Sequence, residues 1–306
     1  MPLEIAPGVF QIDTKLGGWD QITSAYLIAG DSPALIEVGS QTSVGVLVGE
    51  LEDLGIGAND LASVALTHIH LDHAGGIGEI SKLFPNATVY VHERGARHLA
   101  DPSRLNASAG IVYGDLLDNL YGRLISTPNA RIKVVGDNDF IRVSKDRSIE
   151  VINSPGHAKH HLGFFDSSTG LIFTGDAAGI LLPEMKALVP ATPPSDFDLN
   201  SAIQSLEKFK KRNPSGLAFA HFGVYDSAVE VLDSAIDSLR AWAETAKRAF
   251  IAGKDIAAEL KNEFGQPSLD HENPNLLDRL DLLNGVNSNA EGLKQWIERQ
   301  DPQWFH

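Results

Sequence analysis

Short apolar runs separated by turn residues mark the first forty residues of the chain, a pattern typical of antiparallel β-strands. They predict strands over 9–12, 23–28 and 34–38. The turn between the first two strands holds Gly17, Gly18 and Trp19, so a flexible segment carries a large aromatic side chain. A helix over about 44–54 is predicted next, because its apolar residues share one face. Residues 63–66 then form a short apolar strand.

Strand and helix patterns continue until about residue 228, where the strand signal ends. After the first helix and the strand at 63–66, we predict helices over about 75–84, 104–124 and 199–209, and strands over 88–91, 132–135, 140–143, 149–152, 162–165, 171–173 and 216–220. From about residue 229 onward, apolar residues recur at helical spacing. The chain is therefore predicted to hold one domain over 1–228 and a helical extension over 229–306, which acts as a lid, as a dimer interface, or as both.

A cluster of ionisable residues follows the predicted strand at 63–66. Within six consecutive positions the chain places His68, His70, Asp72 and His73. Neutral imidazoles and carboxylates are the usual ligands of first-row metal ions, and a site built from them holds a hydroxide nucleophile at neutral pH. The cluster therefore predicts a metal site, and it requires further ligands from other strand ends.

Three other segments end a strand with a possible ligand. His157 follows a Pro-Gly turn, Asp176 follows an apolar strand and a glycine, and His221 follows the last predicted strand. Taken alone, each has an ordinary structural role as a turn residue, a helix cap or a buried histidine. Taken together with the cluster they favour one shared metal centre, because strand ends hold ligands in rigid positions.

Composition narrows the chemistry. The chain has no cysteine, which excludes disulfides, thiolate ligands and thiol catalysis. Its net charge of −15 argues against a nucleic-acid surface. The N-terminus lacks the pattern of a signal peptide, and no apolar run reaches the length of about 18 residues needed for a membrane span. We therefore expect a cytoplasmic protein without a membrane partner.

These segments together resemble the metallo-β-lactamase-fold hydrolases over about residues 7–225. The H-x-H-x-D-H signature of that family is matched by His68, His70, Asp72 and His73. The resemblance implies an α+β fold, a four-layer αββα sandwich with the active site at one edge between the sheets, here followed by the helical extension. The longer form T-H-x-H-x-D-H-x-G-G is especially similar to the glyoxalase II and lactonase-like branches.

The resemblance also implies how the ligands divide. One metal ion would be bound by His68, His70 and His157, and the second by Asp72, His73 and His221. Asp176 would bridge the two ions. Asp72 would also orient the hydroxide and pass a proton to the leaving group, which makes it the predicted catalytic residue.

The chain departs from the family in two places. Many members carry an aspartate that supports a metal ligand where this chain has Glu37, so the supporting contact is open. Residues 177–179 lack the tyrosine that helps to activate substrate in the best-known lactonase branch, which counts against a homoserine-lactone substrate. Further candidates for a supporting or substrate-pocket role, with Glu37, are Trp19, His92 and His161, and His160 is an alternative to His161.

The leading interpretation is a dinuclear metal-dependent hydrolase whose metal-bridging hydroxide cleaves an ester-like bond, such as that of a lactone, a thioester or a phosphotriester. Two divalent ions are expected, zinc first, with iron or manganese as alternatives. A sulfur-dioxygenase-type oxidoreductase with a single iron is the alternative, and a nuclease is a third class that the acidic charge disfavours. We expect a small-molecule substrate, no nucleic-acid partner, and a homodimer.

Overall fold

The computed structural model of the protein describes residues 1–265, 267, 269 and 274–300. The chain forms two compact units, each built from several segments. The first comprises Met1–Asn153, His160–Gly175 and Pro214–Asp226, and the second comprises Ser154–Lys159, Asp176–Asn213 and Ser227–His306. The predicted domain boundary at residue 228 stays a prediction.

The first unit contains a seven-stranded sheet whose strands lie in sequence order. They are β1 (Leu3–Ala6), β2 (Val9–Asp13), β3 (Ser24–Ile28), β4 (Ala34–Ile36), β5 (Ser63–Ala65), β6 (Thr88–Val91) and β7 (Ile132–Val134). Strands β1 to β4 pair antiparallel, and β4 to β7 pair parallel. Parallel neighbours need crossover connections, and helices fill those connections.

A second, six-stranded sheet in the same unit has the order β13-β12-β11-β10-β9-β8. Its strands are β8 (Phe140–Arg142), β9 (Ser148–Asn153), β10 (Leu162–Asp166), β11 (Leu171–Gly175), β12 (Gly216–Phe219) and β13 (Val224–Tyr225). Only the β11–β12 pair of this sheet is parallel. The ends of β9, β11 and β12 therefore deliver the segments in which the sequence predicts ligands.

The two sheets share one apolar core. Buried residues of β2, β3 and β4 belong to the same cluster as buried residues of β9, β10 and β11. Within it, the rings of Tyr26 and Phe173 lie 5.1 Å apart. The Tyr26 hydroxyl donates a hydrogen bond of 2.6 Å to the Phe219 carbonyl, so its polar end is satisfied where it is fully buried.

The helices of the first unit lie in the crossovers of the seven-stranded sheet. They are α1 (Val44–Asp53), α2 (Leu71–Ala74), α3 (Ile77–Leu83), α4 (Glu93–Ala100) and α5 (Ser103–Tyr113). A single helix-rich segment was predicted over 104–124, and here the structure differs. Gly114 adopts a φ of +53° and ends α5, and a short π-helical turn follows over Leu117–Tyr121.

The second unit is helical. It contains α6 (Leu199–Lys210), α7 (Ala228–Ile251), α8 (Ile256–Phe264), α9 (Pro274–Asn284) and α10 (Val286–Glu298). The apolar stripe predicted along the extension is buried in α7, from Leu232 to Ala246, and α7, α8 and α10 pack on one another. No helix among the described residues is long and apolar enough to cross a membrane.

The sequence pattern does not predict two of the strands, β1 and β13. β1 is mostly exposed at the sheet edge, and β13 is two residues long. Neither carries the buried alternation by which strands are recognised. The other strands and the helices α1, α3, α6 and α7 lie where the pattern placed them, within a few residues at each end.

Candidate metal centre

The loop after β5 holds the first part of the predicted cluster in a fixed position. The Thr67 amide donates to Glu37 Oε1 at 3.1 Å, and the Thr67 carbonyl accepts from the Leu162 amide at 2.7 Å. The Thr67 hydroxyl lies 2.9 Å from His68 Nδ1, which orients the fully buried imidazole. His68 Nε2 then lies 3.0 Å from His70 Nδ1, so the two rings present one nitrogen each to the same point.

The short helix α2 supplies the next two residues. The His73 amide donates a hydrogen bond of 3.1 Å to the His70 carbonyl, which closes the first turn of this helix. Asp72 and His73 lie in this turn, and His73 Nε2 is 3.4 Å from Asp72 Oδ2. His221, at the end of β12, brings its Nε2 to 3.6 Å from the same oxygen. Asp72, His73 and His221 each offer a ligand atom, and all three atoms lie within 4.8 Å of one another.

Glu37 lies on the opposite side of His73. Its carboxylate is buried, and Oε2 is 3.6 Å from His73 Nδ1. A carboxylate on the outer nitrogen of a ligating imidazole fixes the ring and raises its basicity. Glu37 also accepts from Thr67, so one side chain ties the His68 loop to His73. The longer glutamate side chain thus reaches a supporting position, although its role stays a prediction.

In the second unit, a sharp turn carries His157. Gly156 has a φ of +145°, and a Cβ there would lie 2.5 Å from the Ala202 amide nitrogen, so only glycine fits against α6. The Ser205 hydroxyl donates to the Pro155 carbonyl at 2.6 Å, and the Asp198 amide donates to the Gly156 carbonyl at 2.9 Å. The start of α6 therefore anchors the turn that presents the imidazole.

The hydrogen bond on its outer nitrogen sets the tautomer of His157. Nδ1 lies 3.1 Å from the Ala191 carbonyl, and because a carbonyl only accepts, Nδ1 carries the proton. In the neutral ring Nε2 then bears a lone pair, and it lies 3.5 Å from Asp176 Oδ2. With the neutral ring, a cation bound between these two buried electron-rich atoms would offset the cost of burying them.

These separations fit a metal ion. Ligand atoms on a tetrahedral ion about 2.0–2.1 Å away lie about 3.4 Å from one another. The nitrogen–oxygen distances of 3.4 and 3.6 Å around Asp72, and of 3.5 Å between His157 and Asp176, match that spacing. Imidazole and carboxylate donors of this kind suit zinc, iron and manganese alike.

Two histidines after the turn lie near His68. The His161 side chain is fully buried, with its ring 5.1 Å from that of His68, and His160 is 6.3 Å away. A Cβ on Gly175 would lie 2.5 Å from His161 Nε2 and 2.7 Å from Thr67 Oγ1. The strand end before Asp176 therefore packs closely on this histidine, and a supporting role for His161 stays a prediction.

The structure places the remaining candidates elsewhere in the first unit. His92 is the N-cap of α4, where its Nδ1 accepts from the Arg94 amide at 3.1 Å. It belongs to neither group of candidate ligands. Burial and the charge of Arg94 lower the pKa of His92. Trp19 is half-buried beside Gly17, at which a Cβ would collide with Leu120. Pocket roles for both stay predictions.

Two tyrosines lie near Asp72 that the sequence pattern does not single out. Tyr113 ends α5 and Tyr121 ends the π-helical turn, with their rings 4.6 Å apart. Burial, followed by the negative charge of Asp72, raises the pKa of both hydroxyls, so both stay protonated at neutral pH close to the predicted catalytic residue. A Tyr-Gly pair occurs twice in this segment, and it is the sequence signal that marks both tyrosines. Each glycine, Gly114 and Gly122, adopts a positive φ and ends the turn that carries the tyrosine.

Two facing mixed sheets whose strand ends carry grouped histidines and aspartates define the class of metallo-β-lactamase-fold proteins. A model of the metallo-β-lactamase superfamily matches residues 18–221 of the 306. The chain belongs to this superfamily, and the predicted α+β fold class with its helical extension is confirmed.

Relatives support the same assignment. The metallo-β-lactamase fold-containing protein ST1585 of Sulfurisphaera tokodaii is 29% identical over 210 residues, which cover 67% of this chain and 74% of ST1585. The N-acyl homoserine lactonase AttM of Azorhizobium caulinodans is 28% identical over 179 residues, covering 57% of this chain and 63% of the lactonase. The chain thus spans less than two thirds of that lactonase.

Solved structures confirm the fold. The crystal structure of ST1585, an archaeal member of the superfamily, superposes with a TM-score of 0.71 at 23% identity, covering 94% of this chain and 98% of that one. TTHA1429 from Thermus thermophilus superposes with a TM-score of 0.67 at 19% identity, covering 96% and 94%. Membership in the superfamily supports hydrolase chemistry and divalent-metal binding.

Proposed function

We propose that this protein is a dinuclear metal-dependent hydrolase that cleaves an ester-like bond in a small molecule. The observation that carries the proposal is the position of Asp72 Oδ2, at 3.4 Å from His73 Nε2 and 3.6 Å from His221 Nε2. Three buried or nearly buried donors at tetrahedral spacing are what a metal site requires. One carboxylate and two neutral imidazoles offset part of the charge of a divalent ion.

The proposed ligand sets follow the family pattern. One ion is held by Asp72, His73 and His221. The other is held by His68, His70 and His157, and Asp176 is shared. The facing pair of His157 and Asp176 supports this assignment, because the proton on Nδ1 leaves Nε2 as the ligating atom. The pair of His68 and His70 supports it as well, because Nε2 of His68 and Nδ1 of His70 lie 3.0 Å apart.

When bound, two divalent cations lower the pKa of water and polarise the substrate oxygen. The chain supplies the proton transfer. Asp72 lies beside both His73 and His221, and its carboxylate accepts the proton of the attacking water and passes it to the leaving group. The protonated hydroxyls of Tyr113 and Tyr121 keep this neighbourhood free of additional negative charge.

Among ester-like substrates, lactones are the first to test. The support is the likeness to the lactonase AttM, at 28% identity over part of the chain. Thioesters and phosphotriesters complete the panel, because the proposed site acts on any of these bonds through the same nucleophile and proton acceptor.

The replacement Asp72→Asn tests the catalytic assignment. We expect hydrolysis to fall by about 10²–10⁴-fold, because an amide cannot accept the proton, while the circular dichroism spectrum stays that of the folded protein. Asp118→Asn is the matched control, since it removes an exposed carboxylate that pairs with Arg123 and should leave turnover unchanged. Near-normal turnover of Asp72→Asn would contradict the assignment.

Metal content tests the proposal as a whole. Elemental analysis and the hydrolysis panel on one preparation should give two divalent ions per chain and measurable turnover. A single iron per chain, with oxygen uptake and no hydrolysis, would instead establish the oxidoreductase alternative. The homodimer and the cytoplasmic location stay predictions, and light scattering of the full chain tests the first of them.

A further inference from the structure

We propose that Asn289, on the last helix of the extension, positions His157 for metal binding. It does so by fixing the backbone of residues 190–192, whose carbonyl at Ala191 holds the imidazole. Asn289 is a positioning residue in this scheme and does not contact the metal. The proposal rests on the proposed function, since it assigns a role toward the metal that His157 binds.

The orientation of the His157 ring depends on one backbone carbonyl. The Ala191 oxygen lies 3.1 Å from Nδ1, and this bond sets both the tautomer and the rotation of the ring. If the carbonyl moves, Nε2 no longer lies opposite Asp176 Oδ2. Such supporting contacts on a ligating histidine typically contribute 10–100-fold to metal affinity.

Thr192, the residue directly after Ala191, is attached to α10. The Thr192 amide donates to Asn289 Oδ1 at 2.6 Å, and the Thr192 hydroxyl donates to the same oxygen at 2.9 Å and to the Asn289 carbonyl at 3.1 Å. Thr192 is 0% exposed and Asn289 is 1% exposed. The residue directly after Ala191 is therefore held at both its backbone and its side chain.

Pro190, the residue directly before Ala191, is attached through Asn284. Asn289 Nδ2 donates to the carbonyl and to Oδ1 of Asn284, both at 3.0 Å. Asn284 Nδ2 in turn donates to the Pro190 carbonyl at 3.0 Å. One buried amide thus reaches both sides of Ala191, directly on one side and through Asn284 on the other.

Steric contact with α10 also holds this segment in place. The backbone of α10 lies directly on this segment, because a Cβ added to Gly292 would collide with the Thr192 carbonyl oxygen and lie 2.7 Å from the Pro193 carbonyl carbon. Further along, Arg299 Nη2 donates to the Phe197 carbonyl at 2.6 Å. The segment cannot shift toward α10, and the hydrogen bonds of Asn289 prevent it from shifting away.

A zinc titration of the 306-residue chain tests this role. After removal of metal by chelation, Zn²⁺ is added in competition with a chromophoric chelator, so that the affinities of the two sites are resolved. In Asn289→Ala we expect one affinity to fall by about 10–100-fold and the other to remain within threefold of the wild-type value. Thr192→Val, which removes only the hydroxyl, should weaken the same site by a smaller factor.

The control must separate positioning from loss of stability. Leu293→Ala truncates a fully buried side chain of the same helix and destabilises it without touching the hydrogen bonds to residues 190–192. We expect it to lower the urea midpoint and to leave both zinc affinities unchanged. Equal zinc affinities in Asn289→Ala and wild type, or an equal loss in Leu293→Ala, would overturn the positioning role. A wild-type protein that binds no Zn²⁺ would overturn the proposed function, and the positioning role with it.

Discussion

The turn that carries His157 should not tolerate a single added methyl group. In Gly156→Ala the new Cβ would collide with the Ala202 Cα and lie 2.5 Å from its amide nitrogen. Both are backbone atoms of α6, so no side-chain rotation relieves the overlap. Overpacking of this kind costs about 1–3 kcal/mol. The φ of +145°, which L-residues rarely adopt, adds about 1–3 kcal/mol. The expected loss in free energy of unfolding is therefore about 2–6 kcal/mol.

Guanidinium unfolding followed by circular dichroism measures this loss. The titration is run with a chelator, because bound metal would add its own stabilisation. Gly49→Ala is the matched control. Gly49 lies inside α1, and nothing would lie within 4 Å of its added Cβ, so the same substitution should raise the free energy of unfolding by about 0.5–1 kcal/mol. A Gly156→Ala protein within about 0.5 kcal/mol of wild type would refute the steric reasoning.

Two further predictions concern the first unit. Glu37→Gln keeps an acceptor for the Thr67 amide but removes the charge 3.6 Å from His73 Nδ1. Turnover should therefore fall by about 10–100-fold, while the circular dichroism spectrum stays that of the folded protein. Unchanged turnover would refute a supporting role. Burial raises the pKa of Tyr26, so above a pH of about 10 the unfolded state alone ionises and the free energy of unfolding falls as pH rises. Tyr26→Phe removes this contribution and is less stable at pH 8, where it lacks the bond to Phe219. Its deficit should therefore shrink at pH 11, and a constant deficit would contradict the assignment.

How much could be predicted from sequence depends on how local each feature is. His68, His70, Asp72 and His73 lie within six residues, so a strand end and one short helix suffice to group them. His221 is separated along the chain, but an apolar strand delivers it, and the strand was recognised from its composition. The structure brings its Nε2 to 3.6 Å from Asp72 Oδ2, which is the kind of contact that strand-end reasoning anticipates.

Backbone-mediated contacts could not be predicted in this way. The Ala191 carbonyl that sets the His157 tautomer has no side-chain signature, because every residue carries the same group. Asn289 is equally hidden, since a single asparagine within a helical pattern is typical of an exposed face. The two tyrosines near Asp72 were overlooked for another reason. The turn between them is π-helical, whereas the sequence pattern predicts only that this segment is mainly helical.

The role of the extension changes accordingly. The apolar stripes after residue 229 predict only that these helices pack against something, and a lid or a dimer interface satisfies them equally well. The hydrogen bonds that Thr192 donates to Asn289 add a requirement that neither role contains. They are buried and directional, and they fix the residue next to Ala191, whose carbonyl accepts from His157. On a packing surface, one apolar side chain can replace another at a modest cost in stability. Replacing a buried amide with several hydrogen-bond partners costs more, because it leaves those partners unsatisfied. The helix α10 is therefore constrained by the geometry of His157 as well as by its own core, and substitutions at Asn289 should affect metal binding before they affect folding.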